Sequence, residues 1–115
     1  MRALRVDCPR VQLMTAPPDQ PPAAMLRLSG DIDLATADDV VMRGANLLTH
    51  SQSGVPLIVD LGEVTFLDSS GLSALVRLRR AAEAQGCQVL LRDVPDRVAA
   101  LLELSGLAEY FPRAN

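Results

Sequence analysis

The sequence predicts an α/β domain. Its centre is a mostly parallel sheet of about four to five strands with crossover helices packed against it, in the order β-β-α-β-α-β-α. Three observations carry this. Short apolar runs alternate with segments in which apolar residues recur at helical spacing. The run Val55-Pro-Leu-Ile-Val-Asp-Leu61 is almost continuously apolar and β-branched, as a strand buried on both faces of a parallel sheet is. Apolar residues make up 49% of the chain but aromatics only 3%, so the core must be built from Leu, Val, Ile and Ala.

The 115 residues are the length of one domain. No internal repeat or linker divides 1–115, and the core is expected over about 8–112. Val11-Gln12-Leu13 alternates and reads as a first strand, pairing at an edge. A Pro-rich loop follows at 15–24, because Pro17, Pro18, Pro21 and Pro22 cannot donate to a ladder. Met25–Ser29 alternates again and predicts a strand ending at Gly30, with Asp31-Ile32-Asp33 in a loop. Thr36 is the expected cap of the first helix, with Asp39 three residues on. Leu34, Ala37, Val41, Ala45 and Leu48 mark that helix's buried stripe.

Residues 55–61 form the central strand, and Gly62-Glu63 is expected to turn the chain. The next helix follows Asp68-Ser69-Ser70-Gly71, with Leu72, Leu75, Val76, Arg79 and Ala82 on one face and Gly86 at its end. Cys87–Leu91 is the last strand, and Pro95 occupies a first-turn position. Val98, Leu101 and Leu102 line the final helix, which Gly106 stops. Leu107, Tyr110 and Phe111 fold back as an apolar latch.

Charge excludes several functions. Lys+Arg is 11, Asp+Glu is 14 and the net charge is −3, which leaves no footprint for nucleic acid. All the cations are Arg, so Schiff-base chemistry and a P-loop lysine are absent. One His and two Cys are too few for a His-rich metal site or a four-Cys zinc site. No apolar run fits a signal peptide or a membrane helix, so a cytoplasmic protein without membrane contact is expected.

The unusual segment is Phe66-Leu67-Asp68-Ser69-Ser70-Gly71-Leu72, where a buried strand gives way to two hydroxyls opening a helix. Free N–H groups and the helix dipole there favour negative charge, so a phosphate can be held without unfolding. Ser69 or Ser70 is also expected to cap the helix. A catalytic serine fits poorly. The residues two before each serine are Leu67 and Asp68 rather than Gly, and the one possible base, His50, lies at the end of another helix. The chain is therefore read as a non-enzyme.

Four segments carry a family resemblance: Leu28-Ser-Gly-Asp-Ile-Asp33, Leu57-Ile-Val-Asp-Leu-Gly62, Val64-Thr-Phe-Leu-Asp-Ser-Ser-Gly-Leu72 and Leu104-Ser-Gly-Leu107. In this order and spacing they resemble a STAS domain, specifically an anti-sigma factor antagonist. The resemblance implies partner switching. The unphosphorylated antagonist binds an anti-sigma factor that is also a serine kinase of the histidine-kinase-like type, which frees the sigma factor. The kinase then phosphorylates the serine after the motif's Asp, here Ser69, with Ser70 as the alternative. A serine phosphatase reverses the mark, and no cofactor is implied. Asp31, Asp33, Asp68, Ser70, Gly71 and Leu72 become the expected partner-binding residues.

Two features depart from the family. Ser73 stands where Gly is frequent, and the 15–24 loop is longer than a hairpin connection. STAS domains also serve as non-switching adaptors or small-ligand modules in larger complexes, which need not retain a serine at 69. Some antagonists are redox-regulated. From the residues, Cys87 reads as a core thiol and Cys8 as a thiol near the terminus.

Overall fold

Apolar runs become parallel strands wherever the computed structural model describes the chain, at residues 23–51 and 54–114. Strand β1 (Ala24–Ile32) leads into helix α1 (Leu34–Thr49), and β2 (Leu57–Leu67) into α2 (Ser69–Ala84). Strand β3 (Val89–Arg92) then leads into α3 (Asp96–Leu104) and a 3-10 turn at Ala108–Tyr110. Among the described residues the sheet has three strands in the order β1-β2-β3, and both pairings are parallel. Parallel neighbours need crossovers, and two right-handed crossovers in this order place α1 and α2 on one face.

The described residues form three strands, where four to five are expected for the chain. The strand at Val11–Leu13 and most of the 15–24 loop lie outside the described residues. Within that loop's range, Ala24 is already the first residue of β1.

The core is aliphatic, as the composition requires. In register across the sheet, Leu26, Val59 and Leu91 are buried, as are Ala24, Leu57 and Val89. They join Val40 and Leu48 of α1 with Leu75, Leu78 and Ala82 of α2 in one cluster. The opposite face departs from the sequence expectation. Met25, Ile58 and Leu90 form a half-buried row there, and Arg27 pairs with Asp60 at 3.6 Å. The central strand is therefore deeply buried on its helix side only.

Several boundaries also differ. β1 continues through Gly30 to Ile32, so Asp31 belongs to the strand rather than to a loop. β2 runs straight through Gly62-Glu63, where a turn was expected. The cap of α1 is Asp33, not Thr36. The stripe of α1 is Ala37, Val40, Gly44 and Leu48, while Leu34 is 81% exposed. Pro95 stands at the N-cap position of α3, one residue before its first turn, and makes no side-chain hydrogen bond there.

The stop signals are where the sequence places them. Gly86 has φ +73°, the left-handed geometry that lets the Cys87 and Gly86 N–H groups reach back to the Ala82 and Glu83 carbonyls. Gly106 closes α3 in the same way. The expected latch is present: Phe111 is fully buried, and Arg79 stacks 3.6 Å over the Tyr110 ring. Beyond it, Leu91 N–H donates to Pro112 O and Ala114 N–H to Leu91 O, which covers the outer edge of β3.

Gly44 sets the spacing of the helix pair, because a Cβ there would collide with the buried Leu78 side chain. Gly44→Ala is expected to cost about 1–3 kcal/mol by overpacking, offset by up to about 1 kcal/mol of helix propensity. Urea unfolding should show a lower midpoint. A raised midpoint would mean that Leu78 simply turns aside.

Candidate functional site

The ends of β1 and β2 run side by side and deliver the motif residues to one place. Asp31 is the register partner of Phe66, and Ile32 of Leu67. Asp68 N–H then donates to Ile32 O at 3.4 Å. Both helices that cover the sheet begin here, so two N-terminal dipole ends stand together at the strands' C-terminal edge.

This alignment needs two extra residues in β2. Strand β1 has nine residues and β2 eleven, with register shifts between Arg27 and Ser29 and between Gly30 and Asp31. Asp60 Oδ1 accepts the Gly62 N–H at 2.9 Å within the first irregularity. Such bulges re-aim side chains. After the second one, Thr65 and Phe66 both face solvent, and Thr65 Oγ1 donates to Asp31 Oδ1 at 2.8 Å.

Two aspartates cap the two helices. Asp33 Oδ1 accepts from Ala35 N–H at 3.0 Å, while Asp33 N–H donates to Thr36 Oγ1. Thr36 in turn donates to Asp31 O. Asp68 Oδ1 accepts from Ser70 N–H at 2.9 Å and Gly71 N–H at 3.2 Å. The cap of α2 is thus Asp68 and neither serine, which corrects the sequence expectation. The reason is geometric: Asp68 is the last extended residue, and its carboxylate reaches the first free N–H groups before a serine can.

The serines are left uncommitted. Ser69 is the first helical residue and is exposed, and no described residue hydrogen-bonds its hydroxyl. Ser70 is half-buried. Gly71 and Leu72 are buried and shape the surface from beneath. A Cβ on Gly71 would lie 2.8 Å from Ile32 O and 2.7 Å from Leu67 Cγ, so only glycine lets α2 start this close to β1.

A family model described as "Mlab, STAS domain" matches residues 15–112. The chain belongs to the STAS domain family. An anti-sigma-B factor antagonist of Listeria monocytogenes is 30% identical over 88 residues, 76% of this chain and 75% of its own length. The intermembrane phospholipid transport system binding protein MlaB of Escherichia coli is 35% identical over 89 residues, 76% of this chain and 87% of its own. The unphosphorylated anti-sigma factor antagonist SpoIIAA has the same fold, with a TM-score of 0.66 at 20% identity, covering 84% of each chain.

In this STAS domain no Ser–His pairing forms, in line with the poor fit of a catalytic serine in the sequence. His50 follows the last residue of α1, whose 16 residues span about 24 Å from the Ser69 end. Its Nδ1 lies 2.8 Å from Asn46 O. Cys87 is buried, with Sγ 3.7 Å from Gln85 O, and Cys8 lies outside the described residues. Among the described residues no group of three metal-binding side chains gathers, and no helix is long and apolar enough to cross a membrane.

Two surface residues escaped the sequence reading. Leu34, expected on the buried stripe of α1, is 81% exposed, and Phe66 is 50% exposed. A signal for Leu34 existed: it follows Asp33, a good cap, and first-turn residues stand at the rim of a helix. Phe66 was hidden because a bulge breaks the strand's period of two.

Gly71→Ala is expected to lose about 1–3 kcal/mol, since the obstructing atom is a backbone oxygen that cannot turn aside. Asp68→Ala should lose about 0.5–2 kcal/mol and Asp68→Asn less, because Asn also caps. Chemical denaturation of the three variants ranks them, and a neutral Gly71→Ala would dismiss the close approach as a constraint.

Proposed function

We propose that this chain is an anti-sigma factor antagonist controlled at Ser69. Unphosphorylated, it binds an anti-sigma factor that is also a serine kinase, and so frees the sigma factor in the cytoplasm. The observation that carries this reading is the exposed, uncommitted Ser69 hydroxyl at a helix start whose capping is done by Asp68. The relatives named as antagonists support it, among them an anti-sigma F factor antagonist of Paenibacillus polymyxa at 31% identity. The greater exposure of Ser69 favours it over Ser70 as acceptor.

The chemistry asks little of this chain. Ser69 Oγ attacks the γ-phosphorus of ATP, an O–P bond forms and the β–γ bridge breaks. ADP leaves, and the hydroxyl proton passes to a base on the kinase, which also supplies Mg²⁺. The product carries roughly −2 charge at the positive end of α2, so the fold should tolerate it. Asp33 and Asp68 shape the loops through their caps, and Asp31 offers its second carboxylate oxygen to a partner. A serine phosphatase resets the site.

The family description and the MlaB likeness favour a second reading, a constitutive subunit of a larger complex. The two readings differ at Ser69. Incubation with Mg-ATP and each anti-sigma kinase encoded in the same genome, followed by intact-mass and peptide analysis, should place one phosphate on Ser69 and none on Ser69→Ala. Ser69→Ala should still bind the kinase, and Ser69→Glu should bind about 5–150-fold more weakly. Equal affinity of wild type, Ser69→Ala and Ser69→Glu for their partner would select the constitutive subunit.

A further inference from the structure

Charge is unevenly placed along the chain. Residues 29–40 and 63–74 make up the ends of β1 and β2 and the first turns of α1 and α2. They hold six carboxylates (Asp31, Asp33, Asp38, Asp39, Glu63 and Asp68) and no Arg, Lys or His. Among the described residues, the ion pairs these carboxylates make are with guanidiniums of later turns, Arg77 at 3.0 Å from Asp38 and Arg43 at 3.8 Å from Asp39. Setting both against the six leaves four negative charges among the described residues of these two segments, against −3 for the whole chain. The two helix N-termini offset about one of the four.

Two large apolar side chains stand at the same end. Leu34, 81% exposed, opens α1, and Phe66, 50% exposed, is the register partner of Asp31. Single exposed hydrophobes are ordinary. These two come from separate elements that meet beside Ser69.

Resting on the reading that the Ser69 end docks a protein, we propose that its partner presents an apolar pocket rimmed by Arg or Lys. Leu34 and Phe66 enter the pocket, and the rim faces Asp31, Asp39 and Glu63. Charge complementarity selects this occupant. A second copy of the chain would bring the same excess of carboxylates against this one, and an acidic surface would be repelled likewise. Phosphate on Ser69 adds charge of the sign such a rim attracts. Binding is then lost because a hydrated dianion is carried into an apolar seat, which salt does not relieve.

The test uses the full chain with purified anti-sigma kinases from the same genome and with the subunits of any lipid-transport complex encoded there. Raising NaCl from about 50 to about 500 mM should weaken binding about tenfold or more. Leu34→Ser and Glu63→Lys should each weaken it at least about fivefold at low salt. Leu104→Ser is the control: Leu104 is 86% exposed at the far end of α3 and should be silent. Ser69→Glu should stay weak at high salt. An anti-sigma kinase that binds with indifference to salt, Leu34→Ser and Glu63→Lys overturns this docking surface and leaves the antagonist reading standing. A transport subunit bound in the expected way supports the surface and removes the antagonist reading. Binding to none of these proteins overturns both.

Discussion

The contact between the start of α2 and the backbone of Ile32 governs the arrangement of this protein. It has no side chain on one side: Gly71 sits where any Cβ would strike Ile32 O. Because α2 can approach that far, Asp68 N–H reaches Ile32 O, and the ends of β1 and β2 are tied together. The two crossover units of the sheet then share one rim. The ladder brings Asp31 and Ile32 beside Phe66 and Leu67, and this approach adds the start of α2 to the same rim.

The two helix starts are built alike, and the likeness explains what is free to act. Each begins with an extended aspartate whose carboxylate satisfies backbone N–H groups of the first turn. A helix end left with bare donors would need other partners. Here the aspartates fill that need, so the Ser69 hydroxyl is exposed at a place that favours added negative charge. The carboxylates thus have a structural duty beside whatever they offer a partner.

The bulged second strand connects the sheet to that rim. Two additional residues in β2 let a strand of eleven pair with one of nine while both finish together. The irregularity turns Phe66 outward instead of into the core. A helix begun at Leu34 leaves its first side chain at the rim in the same way. The apolar character of this surface is therefore a by-product of how the two crossovers begin.

Much of this was legible from local chemistry. The alternation of apolar runs with helical spacing specified parallel crossovers, Gly86 and Gly106 specified where helices stop, and Phe111 specified a latch. These features depend on neighbours within a few residues, so local sequence carries them. The motif around Ser69 was legible through its order and spacing with the other segments. Tertiary contacts decided the rest. Whether Asp33 or Thr36 capped α1 depended on β1 continuing past Gly30, and Gly62-Glu63 became a bulge instead of a turn because β1 lay alongside to pair with it. Asp68 displaced the serines as cap for a related reason: the hydrogen bond from its N–H to Ile32 holds it extended at the helix start. In each case the choice lies between neighbours in sequence, and the pairing of β1 with β2, far apart in sequence, settles which one wins.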